Sequence, residues 1–89
     1  MIERNVAIVN KLGLHARAAA KLVSTASGFA SHVEVTKDGQ TVNGKSIMGV
    51  MMLAASNGST ITLQVEGEDE QAAMDALVAL IEERFGEPE

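Results

Sequence analysis

The sequence has no cysteine, tryptophan or tyrosine, and its 89 residues include one proline and two phenylalanines. The lack of cysteine excludes disulfides and thiolate metal sites, which suits a reducing compartment. No apolar run approaches the roughly 18 residues of a membrane span, and no basic-then-apolar leader pattern follows Met1. We therefore expect a cytoplasmic protein without membrane insertion, whose core must be built from Val, Ile, Leu, Met and Ala.

Positive charge is also scarce, and it is unevenly distributed. The formal net charge is −5, which argues against nucleic acid as the main partner because phosphate backbones attract basic surfaces. Residues 66–89 contain nine acidic side chains and one basic one, whereas residues 1–65 contain three acidic and six basic ones. We therefore expect an anionic ligand to bind the N-terminal part of the chain.

Hydrophobic residues make up 46% of the sequence and charged residues 21%, a balance typical of a globular chain, and the length suits a single domain over residues 1–89. Alternation of period two predicts strands, and recurrence every three to four residues predicts helices. Asp38-Gly39 is a hairpin signal, since both residues tolerate positive φ. The predicted elements, in order, are a strand over about 2–9, a helix over about 16–27, strands near 32–36 and 40–43, a helical apolar run over 47–55, a strand over 60–66 and a helix over about 70–84.

This order, βαββαβα, predicts an α+β fold. Each strand has one apolar and one polar face, as expected for an antiparallel sheet that is covered on a single side. The pattern therefore indicates an open-faced β-sandwich, in which three helices lie on one face of a four-stranded antiparallel sheet.

The segment around His15 contains the main functional signal. If a helix begins at Ala16, His15 is its N-cap residue, and the amides of Ala16, Arg17 and Ala18 have no partner within the helix. Together with the helix dipole, such amides form an anion site. The Arg17 guanidinium suits phosphate oxygens, and a neutral imidazole can attack phosphorus through its unprotonated nitrogen. These features favour a phosphoryl group on His15, although simple binding of an anion such as sulfate would need the same amides.

Two motifs are similar to those of a known family. Residues 13–18, Gly-Leu-His-Ala-Arg-Ala, resemble the active-site signature of the HPr family, the phosphocarriers of the bacterial phosphoenolpyruvate:sugar phosphotransferase system. Residues 43–51, Asn-Gly-Lys-Ser-Ile-Met-Gly-Val-Met, resemble its second signature, at the matching separation. The resemblance covers essentially the whole chain. Family members usually have proline where this chain has Ala18, and we expect this change to have a small effect on rigidity.

The resemblance implies a stoichiometric carrier and not an enzyme. Enzyme I, charged by phosphoenolpyruvate, would phosphorylate Nδ1 of His15, and the phosphoryl group would then pass to EIIA domains of sugar permeases. Arg17 would steady the phosphoryl group in both transfers. The resemblance also implies an open-faced sandwich that acts as a monomer and uses no cofactor.

Ser46 immediately precedes the apolar helical run, and serine is a favoured N-cap residue. In many family members the matching serine is phosphorylated by HPr kinase/phosphorylase, and residues 45–48 resemble the substrate versions. We therefore expect Ser46 to be an N-cap and also a site of regulatory phosphorylation.

The run after Ser46 has more large apolar side chains than one buried face can use. Some of them must be exposed, and adaptable methionine surfaces suit proteins with several partners. By resemblance, a docking patch for partner proteins consists of Ile47, Met48 and Met51, with Arg17, Lys21 and Lys45 as its basic rim.

Three other functions remain open. A regulatory phosphocarrier of a nitrogen-type or sugar-independent branch would use the same residues with other partners. A small enzyme that acts on acyl phosphates would need Asn10 or Asn43 to orient water, and a binding module for an anionic metabolite would not need His15. His32 has no second ligand at metal spacing, so we expect no metal site.

Overall fold

Four strands and three helices follow one another along residues 1–89, all of which the computed structural model describes. In order they are β1 (Ile2–Ala7), α1 (Ala16–Ser27), β2 (His32–Lys37), β3 (Gln40–Asn43), α2 (Ile47–Met52), β4 (Thr60–Glu66) and α3 (Glu70–Glu82). The strands form one antiparallel sheet in the order β1-β4-β2-β3. The predicted order βαββαβα is confirmed.

The helices pack on one face of this sheet. Strand β4 shows why: its Ile61, Leu63 and Val65 side chains are fully buried, whereas Thr60 and Glu66 are exposed. Helix α1 packs against α2 and α3, and α3 packs against β1 and β4. Since apolar side chains alternate with polar ones along the central strands β2 and β4, only one face needs a cover. The predicted open-faced α+β sandwich is therefore confirmed.

Three elements were predicted to extend further than they do. Strand β1 ends at Ala7, because the chain beyond it pairs with the loop before β4 and not with the strand itself. Helix α2 ends at Met52, since Ala54 has a φ of +49° that no right-handed helix accommodates. Helix α3 ends at Glu82, shortly before Arg84 with a φ of +57°.

The core differs from the prediction in one respect. Its aliphatic composition is as expected, but Phe85 is completely buried and is among the largest side chains in the core. The segment after α3 therefore belongs to the packed structure. Neither α1 nor α3 has the length and apolarity that crossing a bilayer requires, and the same holds for α2.

Asp69 ties the α1–β2 connection to the start of α3. Its carboxylate accepts hydrogen bonds from the amides of Ala30 and Ser31, at 2.8 and 2.9 Å, and from the Ser31 hydroxyl. These bonds, the hydroxyl's foremost, lower the pKa of Asp69 from its ordinary value. Because the folded-state pKa is the lower one, the stabilisation is fully present above the ordinary pKa and is lost as pH falls through the lowered one.

We expect Asp69→Asn to be less stable than the wild type at about pH 7, and the difference to shrink towards zero at about pH 2. Urea unfolding of both proteins at each pH measures the effect. Asp75→Asn is the control, because Asp75 is exposed on the same helix and hydrogen-bonds only the neighbouring Gln71. A difference that is the same at both pH values would contradict this account.

Candidate functional site

A tight loop fixes His15 at the start of α1. Gly13 has a φ of +68°, and a Cβ atom there would lie 2.4 Å from the carbonyl oxygen of Ala55, so only glycine fits. The adjacent Leu14 is buried, and its amide donates to the same oxygen at 2.8 Å. The loop is thereby attached to the segment after α2, which holds the backbone of His15 in place.

His15 is the N-cap residue of α1, as predicted. Its backbone is extended (φ −71°, ψ 178°), and 28% of its side chain is exposed. Ala16 and Arg17 are exposed as well, and their amides donate to no acceptor in the chain. Ala18 was predicted as a third amide donor, but it is completely buried. The third residue of the helix turns towards the core, so a surface-bound anion can reach only the first two amides.

The C-terminal segment, residues 84–89, folds back over this loop. Its first three residues have positive φ, and this left-handed turn reverses the chain after α3. The buried Phe85 ring anchors the turn, and its carbonyl oxygen accepts a hydrogen bond from Lys21 Nζ at 2.6 Å. Further along, the Lys11 amide donates to the Glu89 carbonyl at 3.0 Å. The residues between Phe85 and Glu89 are therefore restrained at both ends.

Glu87 lies between them and contacts both His15 and Asn10. Its Oε2 atom accepts from His15 Nε2, and its Oε1 atom accepts from Asn10 Nδ2 at 3.0 Å. Asn10 is completely buried, and its amide also donates to the Gly13 carbonyl at 2.8 Å. Since a carboxylate only accepts hydrogen bonds, His15 Nε2 carries the hydrogen, and Nδ1 has the free lone pair in the neutral ring.

Its partners keep Glu87 in the charged form. The hydrogen bond from Asn10 and then the one from His15 lower the pKa of Glu87 from its ordinary value, and the positive charge of Lys21 acts in the same direction. Partial burial of the Glu87 side chain, 11% of which is exposed, raises the pKa, but by less than either hydrogen bond lowers it. At neutral pH the group beside His15 is therefore a carboxylate.

These residues form an open cleft. Its walls are Lys11, Leu12, His15, Ala16, Arg17, Glu87, Pro88 and Glu89. At the rim Lys11 Nζ pairs with Glu89 at 3.3 Å, whereas the exposed Arg17 forms no ion pair within the chain. An anion that enters the cleft therefore meets a guanidinium that is not already paired with a carboxylate of the chain.

The structure adds residues to the cleft around His15 that the sequence did not indicate. Glu87 and Glu89 belong to the acidic C-terminal part of the chain, and both line the cleft beside His15 in the more basic N-terminal part. Their contact follows from the way in which the C-terminal segment folds back. The one sequence signal was Phe85, a large apolar residue beyond the last helix in an acidic stretch.

The apolar part of the predicted docking patch is exposed. Exposed apolar side chains in this region are Ile47, Met48, Met51 and, beyond the prediction, Leu12 and Met52. Val50 and Leu53 take the buried side of α2, which confirms that one buried face cannot use every apolar residue of this run. Helix α2 packs against α1, although none of its residues lines the His15 cleft. That these residues bind partners stays a prediction.

Two lysines of the predicted basic rim have a further role. Lys21 Nζ donates to the carbonyl of Phe85 at 2.6 Å, and Lys45 Nζ donates to the carbonyl of Phe29 at 2.8 Å. Each ammonium group thus satisfies a backbone carbonyl of an irregular segment. Both lysines stabilise the chain locally, and their contact with partners stays a prediction.

Two other predicted features lie outside the cleft. The Ser46 hydroxyl accepts a hydrogen bond from the Gly49 amide at 3.1 Å, which confirms that Ser46 is the N-cap of α2. His32 is exposed on β2, where its Nε2 lies 3.4 Å from the Glu34 carboxylate. The structure groups no three side chains of the kind that bind metal ions. Phosphorylation of Ser46 stays a prediction.

Known proteins are similar to this chain in sequence and in fold. The family model described as "PTS HPr component phosphorylation site" matches residues 2–83. The phosphocarrier protein HPr of Cupriavidus necator is 61% identical over 89 residues, which is the whole of both chains. A crystal structure of HPr from Thermoanaerobacter tengcongensis has a TM-score of 0.96 at 53% identity and complete coverage of both chains. A structure of an HPr dimer from the same organism has a TM-score of 0.79 at 54% identity, and the match covers 98% of this chain and 100% of that one. The chain therefore belongs to the HPr family, the phosphocarrier proteins of the phosphotransferase system.

Proposed function

We propose that this chain accepts a phosphoryl group from phospho-Enzyme I on Nδ1 of His15 and passes it to EIIA domains of sugar permeases. The observation that carries the proposal is the partly exposed His15 ring at the start of α1, whose Nε2 atom is bonded to Glu87 while Nδ1 has a free lone pair. Family membership supports the proposal, since the matching family model is described by a phosphorylation site.

The transfer requires a nucleophile and a means of holding negative charge. The Nδ1 lone pair attacks phosphorus, the N–P bond forms as the bond from phosphorus to the donor breaks, and Nε2 keeps its hydrogen. The amides of Ala16 and Arg17 and the Arg17 guanidinium are the groups available to hold the phosphoryl oxygens. Transfer to the acceptor reverses these steps and restores the chain, which makes it a stoichiometric carrier.

The partners dock on the surface around the cleft. Enzyme I and the EIIA domains present different surfaces, and the exposed methionines of α2 can adapt to both. We expect the carrier to act as a monomer in the cytoplasm, although one related structure is described as a dimer. Since the chain carries a net charge of −5, nucleic acid is not among its partners.

The proposal is tested by phosphorylating the protein with Enzyme I, which we call charging, and then following transfer of the phosphoryl group to an acceptor. The chain is incubated with Enzyme I, magnesium and phosphoenolpyruvate, and its intact mass is recorded before and after mild acid. We expect a gain of one phosphoryl group that acid removes. After Enzyme I is taken away, an added EIIA domain should acquire the group while the chain returns to its original mass. Failure to charge, in a reaction that charges a known HPr, would contradict the proposal.

The same experiment distinguishes the sugar branch from a nitrogen-type branch. Charging is run in parallel with the Enzyme I of each branch, and we expect faster charging by the sugar-branch enzyme. Faster charging by the other enzyme would favour a regulatory carrier.

An acyl phosphatase is disfavoured by the contacts of its two candidate asparagines. Both amide hydrogens of Asn10 are used by Gly13 and Glu87, and the Asn43 side chain accepts from the Lys45 amide at 2.8 Å.

Regulatory phosphorylation of Ser46 by HPr kinase/phosphorylase is part of the proposal. Ser46 is partly exposed and lies directly beside the exposed apolar surface of α2. A phosphate at the start of α2 would be tolerated by the fold, because the helix dipole favours negative charge there. The same charge would repel an acidic partner that docks on this surface.

We expect Ser46→Asp to slow charging by Enzyme I by roughly tenfold, which corresponds to about 1.4 kcal/mol in the transfer barrier. The rate is measured from the increase in phosphorylated mass with time. Ser24→Asp is the matched control, because Ser24 is an exposed serine of α1 and receives the same charge. Equal rates for the two variants would show that negative charge at Ser46 has no regulatory effect on docking.

A further inference from the structure

We propose that Glu87 is a positioning residue for His15, which fixes the ring tautomer and stabilises the charge that the ring acquires on phosphorylation. The inference rests on the proposed function, because it concerns the same nitrogen, Nδ1 of His15. The family model matches residues 2–83, so the segment that holds Glu87 lies outside the matched residues.

The carboxylate of Glu87 is oriented by both of its oxygens. One oxygen accepts from His15 Nε2 and the other accepts from Asn10 Nδ2 at 3.0 Å. Asn10 is itself fixed, since it is fully buried and its second amide hydrogen is bonded to the Gly13 carbonyl. A buried amide, a carboxylate and an imidazole thus form a chain of hydrogen bonds. Such an arrangement holds an imidazole in one tautomer and one orientation, as a carboxylate does for the histidine of a serine protease.

The backbone around Glu87 is restrained as well. On one side the Phe85 ring is in the core and its carbonyl is bonded to Lys21 Nζ. On the other side the Glu89 carbonyl is bonded to the Lys11 amide. Glu87 lies between these two restraints, and 11% of its side chain is exposed. In a surface glutamate with an unrestrained backbone, competition from water and the entropy cost of ordering the side chain would largely offset such a contact.

The bond to Nε2 serves the transfer step chemically. The neutral ring has its hydrogen on Nε2 and its lone pair on Nδ1. When Nδ1 forms the N–P bond and Nε2 keeps its hydrogen, the ring becomes positively charged. The Glu87 carboxylate faces this charge through the Nε2–H bond, and it stabilises the phosphorylated ring more than the neutral one. The two ring nitrogens point in divergent directions, so the carboxylate does not occupy the place of the incoming phosphoryl group.

Other charged side chains lie near the His15 ring, but none of them can take over the contact that Glu87 makes with Nε2. Arg17 is exposed at the start of α1 and Lys11 pairs with Glu89 at the rim. Lys21 is close enough to favour the charged form of Glu87. Glu87 is the one acidic side chain that contacts His15. Its removal therefore leaves Nε2–H without a protein acceptor.

The first test reads the tautomer in the unphosphorylated protein. Nitrogen-15 NMR of the His15 ring at about pH 8 distinguishes hydrogen on Nε2 from hydrogen on Nδ1. We expect almost only the Nε2–H form in the wild type and a mixture in Glu87→Ala. Glu87→Gln should shift the ring towards Nδ1–H, because the glutamine oxygen accepts from Asn10 and its NH₂ group then faces Nε2. Identical spectra for the three proteins would overturn the proposal.

The second test measures charging by Enzyme I at several concentrations of the carrier. We expect the maximal rate to fall by about 10- to 100-fold in Glu87→Ala and further in Glu87→Gln, with a smaller change in the half-saturating concentration. Glu82→Gln, at the exposed end of α3, removes the same charge without contacting His15. Enzyme I should phosphorylate this variant at the wild-type rate.

The two proposals can fail separately. If the wild type is charged on His15 and both Glu87 variants are charged at the same rate, the positioning role is overturned and the carrier function stands. If the wild type is not charged while a known HPr is, the carrier function fails, and the positioning role in phosphoryl transfer fails with it. In that second case the NMR spectra still establish whether Glu87 sets the tautomer.

Discussion

Replacement of Phe85 by alanine is expected to lower the free energy of unfolding by about 3–5 kcal/mol. The Phe85 ring is completely buried in the core, and its loss removes apolar contacts and leaves a cavity. The residue also has a φ of +55°, and alanine keeps the cost of this left-handed backbone. Nothing in the variant therefore compensates for the lost packing. Because residues 84–89 are held by this ring, we also expect Glu87 to leave His15.

Urea unfolding measures the loss of stability, and Phe29→Ala is its control. Phe29 is the only other aromatic residue and is partly buried, so we expect it to contribute about 1–2 kcal/mol. The His15 ring spectrum of the folded Phe85→Ala protein should resemble that of Glu87→Ala. A Phe85→Ala protein as stable as Phe29→Ala would show that the C-terminal segment is not part of the core.

Replacement of Gly13 by alanine has the second largest expected effect, a loss of about 3 kcal/mol or roughly 12–24 °C in Tm. Two costs add at this position. A residue with a Cβ atom is strained at a φ of +68°, which costs about 1–2 kcal/mol. The Cβ would also lie 2.4 Å from the Ala55 oxygen, and since that oxygen belongs to the backbone the loop itself must move. The bond from Leu14 to the same oxygen is then lost.

Gly39→Ala separates these two costs. Gly39 has a φ of +81°, and a Cβ atom there meets nothing within 4 Å, so only the backbone strain remains. Thermal unfolding of both variants is therefore expected to give a loss at Gly13 of two to three times that at Gly39, as an estimate from the same terms. Equal losses would mean that the loop before His15 adapts without strain, and that Gly13 does not fix the site.

The fold was predictable because its signals are local. Strand β4 alternates over seven residues, and the Asp38-Gly39 turn has positive φ at both positions, as the hairpin signal requires. The start of α2 was also predictable from local sequence, because the N-cap bond joins the Ser46 hydroxyl to an amide only three residues later. Boundaries were less predictable, because the end of α2 depends on a positive φ at Ala54. Alanine does not signal such a conformation.

The site was predictable only as far as it is local. The N-cap position of His15 follows from a few adjacent residues, whereas Glu87 is 72 positions away. Their contact requires the left-handed turn after α3 and the burial of Phe85. Neither can be derived from periodicity, and the acidic composition of residues 66–89 does not indicate that one of their carboxylates contacts His15.

The most direct test of the central claim is to locate the phosphoryl group after charging with Enzyme I and phosphoenolpyruvate. Intact mass is recorded for the wild type, for His15→Ala and for His32→Ala, which removes the other, exposed histidine. Nitrogen-15 NMR of the charged wild type then shows which ring nitrogen is coupled to phosphorus. We expect one phosphoryl group on Nδ1 of His15, an unchanged result for His32→Ala and no gain of mass in His15→Ala. Charging of His15→Ala to the same extent as the wild type would contradict it.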